Sequence, residues 1–307
     1  MPQSANLRAS IFMLLAMGIF TMGDSISKYL LAEMNSGQYI MLRGGFATIA
    51  IGFLSWRSGA LRHLSLDKMM ILRVMAEVFA TITYIYTLGH LSQAFVSAVF
   101  QATPLVVTLG AVLFFNETVG WRRWLCISIG LVGVLIIIRP GADSAASLSA
   151  IAVLFASICF AATRDLATRR IPAHVSTLYI SMITSAAIAV AGGALVVPMG
   201  GWQPVGLTPL LLAAVAAGLL LVGYHFIILA MREGEISFVS PFRYSSLLWA
   251  ILLSTIVFNE APDAYTIAGS ILVVGSGVYM VYREKALKKR AKHRSTLAAQ
   301  PTGIEPS

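Results

Sequence analysis

Phe95-Val96-Ser97, with Glu117 twenty residues after the serine, occurs again 143 residues later as Phe238-Val239-Ser240, with Glu260 at the same distance. Each glutamate leads into an apolar run that holds a matching Gly-Val pair. The second half of the chain therefore repeats the first. In a membrane protein such a repeat is typical of transporters, and the helix count per half decides whether the copies are parallel or inverted.

The composition is that of an integral membrane protein. Hydrophobic residues make up 58% of the 307 residues and charged residues 11%, against roughly 45–50% and about 25% in soluble domains. Arg8 leads directly into a long apolar stretch that contains charges and has no small-residue cleavage site. This stretch is therefore predicted to be a retained first membrane helix rather than a cleaved signal peptide.

The net charge of +9 is concentrated near the C-terminal end, where residues 283–294 hold seven Lys or Arg. A basic cluster directly after a final helix favours a cytoplasmic segment that faces anionic lipid. Segment 283–307 is accordingly predicted to be a disordered cytoplasmic tail. The expected partners are a small-molecule solute and the bilayer; nucleic acid is not expected, and a homodimer is compatible with this interpretation.

Ten stretches are long and apolar enough to cross a bilayer, which takes roughly 20 residues of helix. The first half, residues 1–143, contains Leu7–Leu31, Gln38–Trp56, Met69–His90, Gln93–Phe115 and Trp121–Ile138. The second half, residues 144–282, contains Leu148–Thr168, Val175–Val197, Leu207–Met231, Ser237–Phe258 and Tyr265–Tyr282.

The distribution of positive charge predicts the orientation of these spans. With the N-terminus in the cytoplasm, 16 of the 22 Lys and Arg lie on the inner side and only Arg139 lies on the outer side, as the positive-inside rule requires. Both termini are then cytoplasmic. Because five helices per half is an odd number, the halves enter the bilayer in opposite directions. The predicted fold is an all-α integral membrane protein with ten transmembrane helices as two inverted five-helix repeats.

Several motifs together carry a resemblance to a known family. They are Arg43 in the second span, Tyr86–Ala94 before the fourth, Pro104 within it, the Glu117 block, Gly133 and Arg139-Pro140-Gly141. From about residue 7 to residue 282 the chain resembles the drug/metabolite transporter superfamily, specifically its EamA-type members with five plus five helices. The resemblance implies a carrier of small metabolites in the bacterial inner membrane.

One departure from the repeat concerns the predicted hinge. The second half has Leu247 where the first has Pro104, and its nearest proline, Pro241, lies six residues earlier. This difference argues against a symmetric hinge.

Charged residues inside the spans are the first candidates for function, because a charge at mid-bilayer costs at least roughly 2.5–3.5 kcal/mol. Asp24 and Lys28 are four residues apart, as are Arg73 and Glu77, so each pair shares a helix face. These pairs are either internal ion pairs or, for Asp24 and Glu77, groups that bind solute or a proton. His225 is a third proton-coupling candidate.

The predicted solute contacts combine these charges with aromatic rings in the spans that line the cavity in the family this chain resembles. They are Asp24, Lys28, Arg43, Glu77, Tyr84, Tyr224, Arg243, Tyr244 and Trp249. The predicted structural or gate residues are Pro104, Glu117, Pro241 and Glu260. Arg164-Asp165 is interpreted as a pair at the membrane interface, and Arg43 has the alternative role of a structural clamp.

These features favour a secondary carrier. No ATP-binding loop is present, so the driving force is expected to be a gradient or exchange. Flat rings beside a few polar groups suit a planar solute, and riboflavin uptake, known among EamA-type relatives, is the preferred expectation. Export of amino acids or drugs and S-adenosylmethionine transport are the alternatives.

Two other classes of protein fit the sequence poorly. A membrane-embedded lipid-modifying enzyme needs His and Asp/Glu paired near one face, and a channel needs rings of charged or carbonyl ligands. Neither pattern appears. No enzymatic activity, cofactor or metal is expected.

Overall fold

A computed structural model describes residues 3–59, 67–115, 121–138, 148–172, 175–233, 239–279 and 282. All regular secondary structure within these ranges is helical. Glu117, Arg139-Pro140-Gly141 and the basic segment 283–307 lie outside the described residues.

The helices follow the predicted spans closely. The first half contains α1 Gln3–Leu30, α2 Ser36–Arg57, α3 Lys68–His90, α4 Gln93–Phe100, α5 Thr103–Phe115 and α6 Trp121–Ile138. The second contains α7 Leu148–Thr168, α8 Thr177–Val196, α9 Leu207–Glu233, a 3-10 helix Ser240–Tyr244, α10 Ser245–Phe258 and α11 Ala264–Tyr279.

Eight stretches of the described chain are helical, long and apolar enough to cross a membrane, with α4 and α5 counted as one. Two shorter apolar helices, Trp124–Ile138 and Ala264–Tyr279, occupy the positions predicted for the fifth and tenth spans. The chain is thus a multi-pass membrane protein. A total of ten spans and the cytoplasmic placement of both termini stay predictions.

The contacts between helices have the same pattern in the two halves, in which α1, α2 and α3 correspond to α7, α8 and α9. The most extensive contacts join α1 to α9, α3 to α7 and α2 to α8. Exchanging each helix for its equivalent in the other half turns α1–α9 into α7–α3 and leaves α2–α8 unchanged. The smaller contacts obey the same rule, since α1–α10 matches α5–α7 and α2–α9 matches α3–α8. This pattern is the one that a pseudo-two-fold axis relating the halves produces.

The fourth and ninth spans are both interrupted, at equivalent positions. The fourth breaks between α4 and α5 at Gln101 and Ala102, just before Pro104. The ninth changes from a 3-10 helix to α-helix between Tyr244 and Ser245, 143 residues later. The expectation that the missing proline removes the symmetry was therefore wrong for the interruption itself.

The second interruption has its own local cause. Pro241 stands at the first turn of the 3-10 helix, where its missing N–H costs no hydrogen bond. A hydrogen bond also joins the two interrupted spans, because the Gln101 side-chain Nε2 donates to Ser246 Oγ at 2.7 Å. The breaks in the two halves are thereby linked to each other.

Small residues allow the halves to approach closely at two crossings. In α6 and α11, a Cβ atom on Gly269 would lie 2.4 Å from the carbonyl oxygen of Gly133. In α2 and α8, a Cβ atom on Gly44 would lie 2.9 Å from the backbone nitrogen of Ala189. Close packing of small residues is the usual way in which helices associate in a membrane, where water supplies no hydrophobic driving force.

Candidate functional site

Asp24 lies on α1 and faces α3. Its Oδ2 accepts a hydrogen bond from the Tyr84 hydroxyl at 2.9 Å. The Tyr84 ring packs edge-on against Phe100 of α4, with 5.1 Å between ring centroids. Asp24 is half-buried, and its Oδ1 accepts no hydrogen bond from the described residues. One carboxylate oxygen is therefore held by the protein, and the other is available to a ligand.

Arg43 is positioned by a short polar relay between α1 and α2. The Ser27 hydroxyl of α1 is hydrogen-bonded to the hydroxyl of Tyr39, which is fully buried. Tyr39 stands one turn before Arg43 on α2, and the Arg43 guanidinium interacts electrostatically with Tyr39, Asp24, Tyr84 and Tyr224. Arg43 is thereby held beside Asp24.

A second charged cluster joins α3 to the other half of the protein. Arg164 Nη1 of α7 lies 3.1 Å from Glu77 Oε2, and Arg164 Nε donates to Asp165 Oδ1 at 2.9 Å. Arg73 Nη1 donates to Thr184 Oγ1 of α8 at 2.5 Å. The internal pair predicted for Arg73 and Glu77 is not among the described ion pairs, because α7 and α8 supply partners that spacing along α3 could not reveal.

Tyr224 of α9 connects the two clusters. It interacts electrostatically with Glu77, Arg164, Arg73 and Arg43, and its ring packs edge-on against Phe20 of α1 at 5.2 Å. Even so, Tyr224 is 49% exposed. Tyr224 is thus an exposed side chain near charged groups of α2, α3 and α7.

Lys28, near the end of α1, and Glu260, just after α10, form an ion pair. The Lys28 ammonium is paired with Glu260 Oε2 and lies 4.8 Å from the centre of the Phe258 ring. Glu260 is placed by the left-handed turn at Asn259, where the Glu260 backbone N–H donates to the Ser254 carbonyl. The internal pairing predicted for Asp24 and Lys28 is therefore not the one found among the described ion pairs, because Glu260, just after α10, brings its carboxylate to Lys28.

Four predicted site residues are placed apart from these clusters. Arg243 is exposed on the 3-10 helix, while Tyr244 packs against Gly277 of α11. Trp249 packs on Gly18 and its Nε1 donates to the Leu14 carbonyl of α1 at 3.2 Å. His225 is exposed beside Phe226. Their predicted binding and coupling roles receive no geometric support here.

Sequence reasoning also missed partners that the packing supplies. Arg164 was interpreted as a residue at the membrane interface, yet it is paired with Glu77 of α3 in the second charged cluster. Gln93 at the start of α4 accepts a hydrogen bond from Ser25 and donates to the Thr21 carbonyl, both on α1. Gln93 is completely buried, and its polar amide at the start of an otherwise apolar span is the sequence signal that could have pointed to this contact.

Comparison with known proteins decides the family. A family model described as the EamA-like transporter family matches residues 7–139 and again residues 147–283. The chain belongs to the EamA-like transporter family. The two matched segments coincide with the two halves of the repeat, and the resemblance inferred from Arg43, Pro104 and the glutamate blocks is confirmed.

EamA-family relatives with different solutes are similar to this chain. An S-adenosylmethionine uptake transporter of Rickettsia conorii is 27% identical and covers 89% of this chain and 91% of that protein. A pseudopaline exporter of Pseudomonas aeruginosa is 26% identical over 85% and 91%. A riboflavin transporter of Rhizobium johnstonii is 26% identical over 63% of each chain.

A solved crystal structure shares the fold. It matches with a TM-score of 0.60 and 16% identity, over 95% of this chain and 99% of that chain. At this identity the likeness speaks for the arrangement of helices alone.

Proposed function

We propose that this EamA-family protein is a secondary-active carrier that moves a small organic metabolite across the membrane by alternating access. The observation that carries the proposal is the set of charged side chains on α1, α2, α3 and α7, from both halves, that lie near Tyr224 of α9 or near each other. We propose that they surround a solute site, called here the central space. Charges at this depth are costly unless they face a cavity or a partner. A site between two related halves can be exposed to either side when one half moves against the other.

The proposed topology has ten spans in two inverted repeats, with both termini in the cytoplasm of a bacterial cell and the protein in its inner membrane. The excess of Lys and Arg on one side supports this orientation. We further propose that the basic segment 283–307 contacts anionic lipid, and that the protein either acts alone or pairs as a homodimer.

Lys28 and Glu260 are proposed to form the outer gate. Both lie at helix ends that this topology places at the outer face, and they join α1 to α10.

Reversal of one gate charge should impair transport. In Glu260→Lys two ammonium groups meet at the outer ends, and we expect uptake to fall by roughly tenfold because like charges in contact repel strongly. The exchanged pair Lys28→Glu/Glu260→Lys should recover most of the rate. Lys68→Glu, at the exposed start of α3, is the matched charge-reversal control. Equal rates in single and double variants would contradict a gating pair.

S-adenosylmethionine is the first candidate solute. The relatives named for its uptake align over 87–94% of this chain, and opposite charges flank the central space, which suits a charged solute. The test is uptake of labelled S-adenosylmethionine by proteoliposomes under an imposed gradient. Saturable uptake above that of protein-free liposomes is expected, and none at any gradient would count against this solute.

Riboflavin is the second candidate, favoured by the rings of Tyr84, Phe100, Phe20 and Tyr224 around the same space. Expression in a riboflavin auxotroph at limiting vitamin tests it, since a riboflavin carrier restores growth. Export of amino acids or drugs is the further alternative, supported by the exporter among the relatives. Family membership supports transport over a lipid-modifying activity.

A further inference from the structure

We infer that the space between Asp24 and Arg43 binds an α-amino-acid end group, with its ammonium at the aspartate and its carboxylate at the arginine. The inference rests on the proposed carrier function and names the chemical class of its solute. It starts from two opposite charges that the protein places near each other but does not join.

Asp24 stands about one turn before Ser27 on α1, and Arg43 stands one turn after Tyr39 on α2, so the Ser27–Tyr39 hydrogen bond brings the two charged residues near each other. They nevertheless do not form an ion pair. The ion pairs of the described chain join Lys28 to Glu260 and Arg164 to Glu77 and Asp165. Since the other central acids already contact cations, Asp24 is the carboxylate that can accept an incoming ammonium.

Each of the two side chains also has unused hydrogen-bonding capacity. Arg43 Nε is buried without a hydrogen-bond partner among the described residues, and Asp24 uses only Oδ2, towards Tyr84. Burying a donor without a partner is unfavourable. A ligand carboxylate at Arg43 would satisfy that donor.

The supporting contacts hold the two charges in place for a ligand. Tyr84 fixes the carboxylate of Asp24 from α3, while the Ser27–Tyr39 hydrogen bond orders the turn of α2 that carries Arg43. An α-amino acid bears its ammonium and carboxylate on one carbon, so it can bridge an aspartate and an arginine that stand beside each other without touching.

The numbers of acidic and basic side chains around the central space also support an amino-acid end group. The central clusters hold three acidic side chains, Asp24, Glu77 and Asp165, and three basic ones, Arg43, Arg73 and Arg164. Equal numbers suit a solute whose end group is zwitterionic and disfavour one that carries several phosphates. Arg73 also has a buried unpartnered Nε, but its neighbouring carboxylate, Glu77, is already paired with Arg164.

Binding of matched ligand pairs to the purified full-length protein tests the inference. S-adenosylhomocysteine and 5′-methylthioadenosine share the adenosine and thioether, but only the former has the amino-acid end. S-adenosylmethionine and its decarboxylated form differ only in the carboxylate. Isothermal titration calorimetry should give each complete ligand a Kd at least about tenfold lower than that of its truncated partner, as expected for a charge-assisted hydrogen bond.

Variants of Arg43 and Asp24 then show which charged group of the ligand each side chain binds. In Arg43→Gln the preference for the carboxylate should disappear, while the decarboxylated ligand binds as it does to wild type. In Asp24→Asn both ligands of the second pair should weaken together, because both carry the ammonium. Arg57→Gln, at the exposed end of α2, is the control and should keep the wild-type preference. If Arg43→Gln fails to fold, Arg43→Lys, which retains the positive charge, is measured in its place.

Three results would overturn the inference. Equal binding of complete and truncated ligands by wild type would do so, as would equal weakening of both carboxylate-matched ligands in Arg43→Gln. Binding and transport of riboflavin without binding of any amino-acid ligand would also overturn it, yet would leave the carrier function intact. Loss of all transport, riboflavin included, would instead count against the proposed function.

Discussion

Asp24→Asn is expected to lower the initial rate of S-adenosylmethionine uptake by about 10–100-fold, the range for losing a charge-assisted hydrogen bond. The amide keeps the size of the side chain and can still accept from Tyr84, so the fold should persist. What is lost is the negative charge beside Arg43, which leaves the guanidinium without its counter-charge. The rate is measured in proteoliposomes that contain equal amounts of folded protein, and Arg43→Ala should show a comparable fall.

Asp67→Asn provides the matched control for this result. Asp67 precedes α3, is exposed, and makes no side-chain capping hydrogen bond, so its amide variant should transport at the wild-type rate. If Asp24→Asn and Arg43→Ala also transported at that rate, both residues would have structural roles. For Arg43 this would be the role of a helix clamp, the alternative given in the sequence analysis.

Gly269→Ala is expected to cause the largest loss of stability. The added methyl group would lie 2.4 Å from the Gly133 carbonyl oxygen and 2.5 Å from Ile137 Cγ1. Because the first of these atoms belongs to the backbone, α6 and α11 must move apart, and overpacking of this kind costs about 1–3 kcal/mol or more. The melting temperature of the detergent-purified protein should fall by several degrees, and the yield of monodisperse protein should fall with it.

Gly275→Ala tests the same substitution six residues further along the same helix, where no neighbouring atom lies within 4 Å of the added carbon. It removes the same glycine flexibility from α11 but introduces no collision, so its melting temperature should match that of the wild type. Equal melting temperatures for the two variants would show that α6 and α11 do not cross as described.

The arrangement of the helices was largely predictable from the sequence because apolar length and loop charge are local properties. The predicted span Met69–His90, for example, differs from its helix, Lys68–His90, by one residue at its start. The repeat of Phe95-Val96-Ser97 also indicated which helices are equivalent, and the packing of α1 on α9 and of α3 on α7 follows that equivalence.

The polar partners were predictable only in part. Asp24, Arg43 and Tyr84 were identified because charged and hydroxyl groups inside apolar spans are conspicuous, and the structure brings them together. The pairing of Lys28 with Glu260 was missed because spacing along one helix suggests only partners on that helix. Glu260 comes from a distant segment, whose approach depends on how α10 packs on α1.

Arg243 shows the opposite failure. Its aromatic neighbours and its depth in the ninth span suggested a ligand contact, but the local 3-10 helix turns the side chain outward. A 3-10 segment has three residues per turn rather than 3.6, so faces inferred from α-helical spacing do not apply to Ser240–Tyr244. Arg164, by contrast, lies on the regular α-helix α7 and is paired with Glu77 of α3.

Counterflow in proteoliposomes is the most direct test of the central claim that the protein is a carrier with alternating access. Vesicles are loaded with unlabelled S-adenosylmethionine, or in parallel with riboflavin, and diluted into a trace of the same labelled compound without any other gradient. We expect a transient accumulation of label above equilibrium for one of these solutes, because a loaded carrier returns with label bound. Monotonic equilibration of both solutes, at rates that do not saturate, would contradict it.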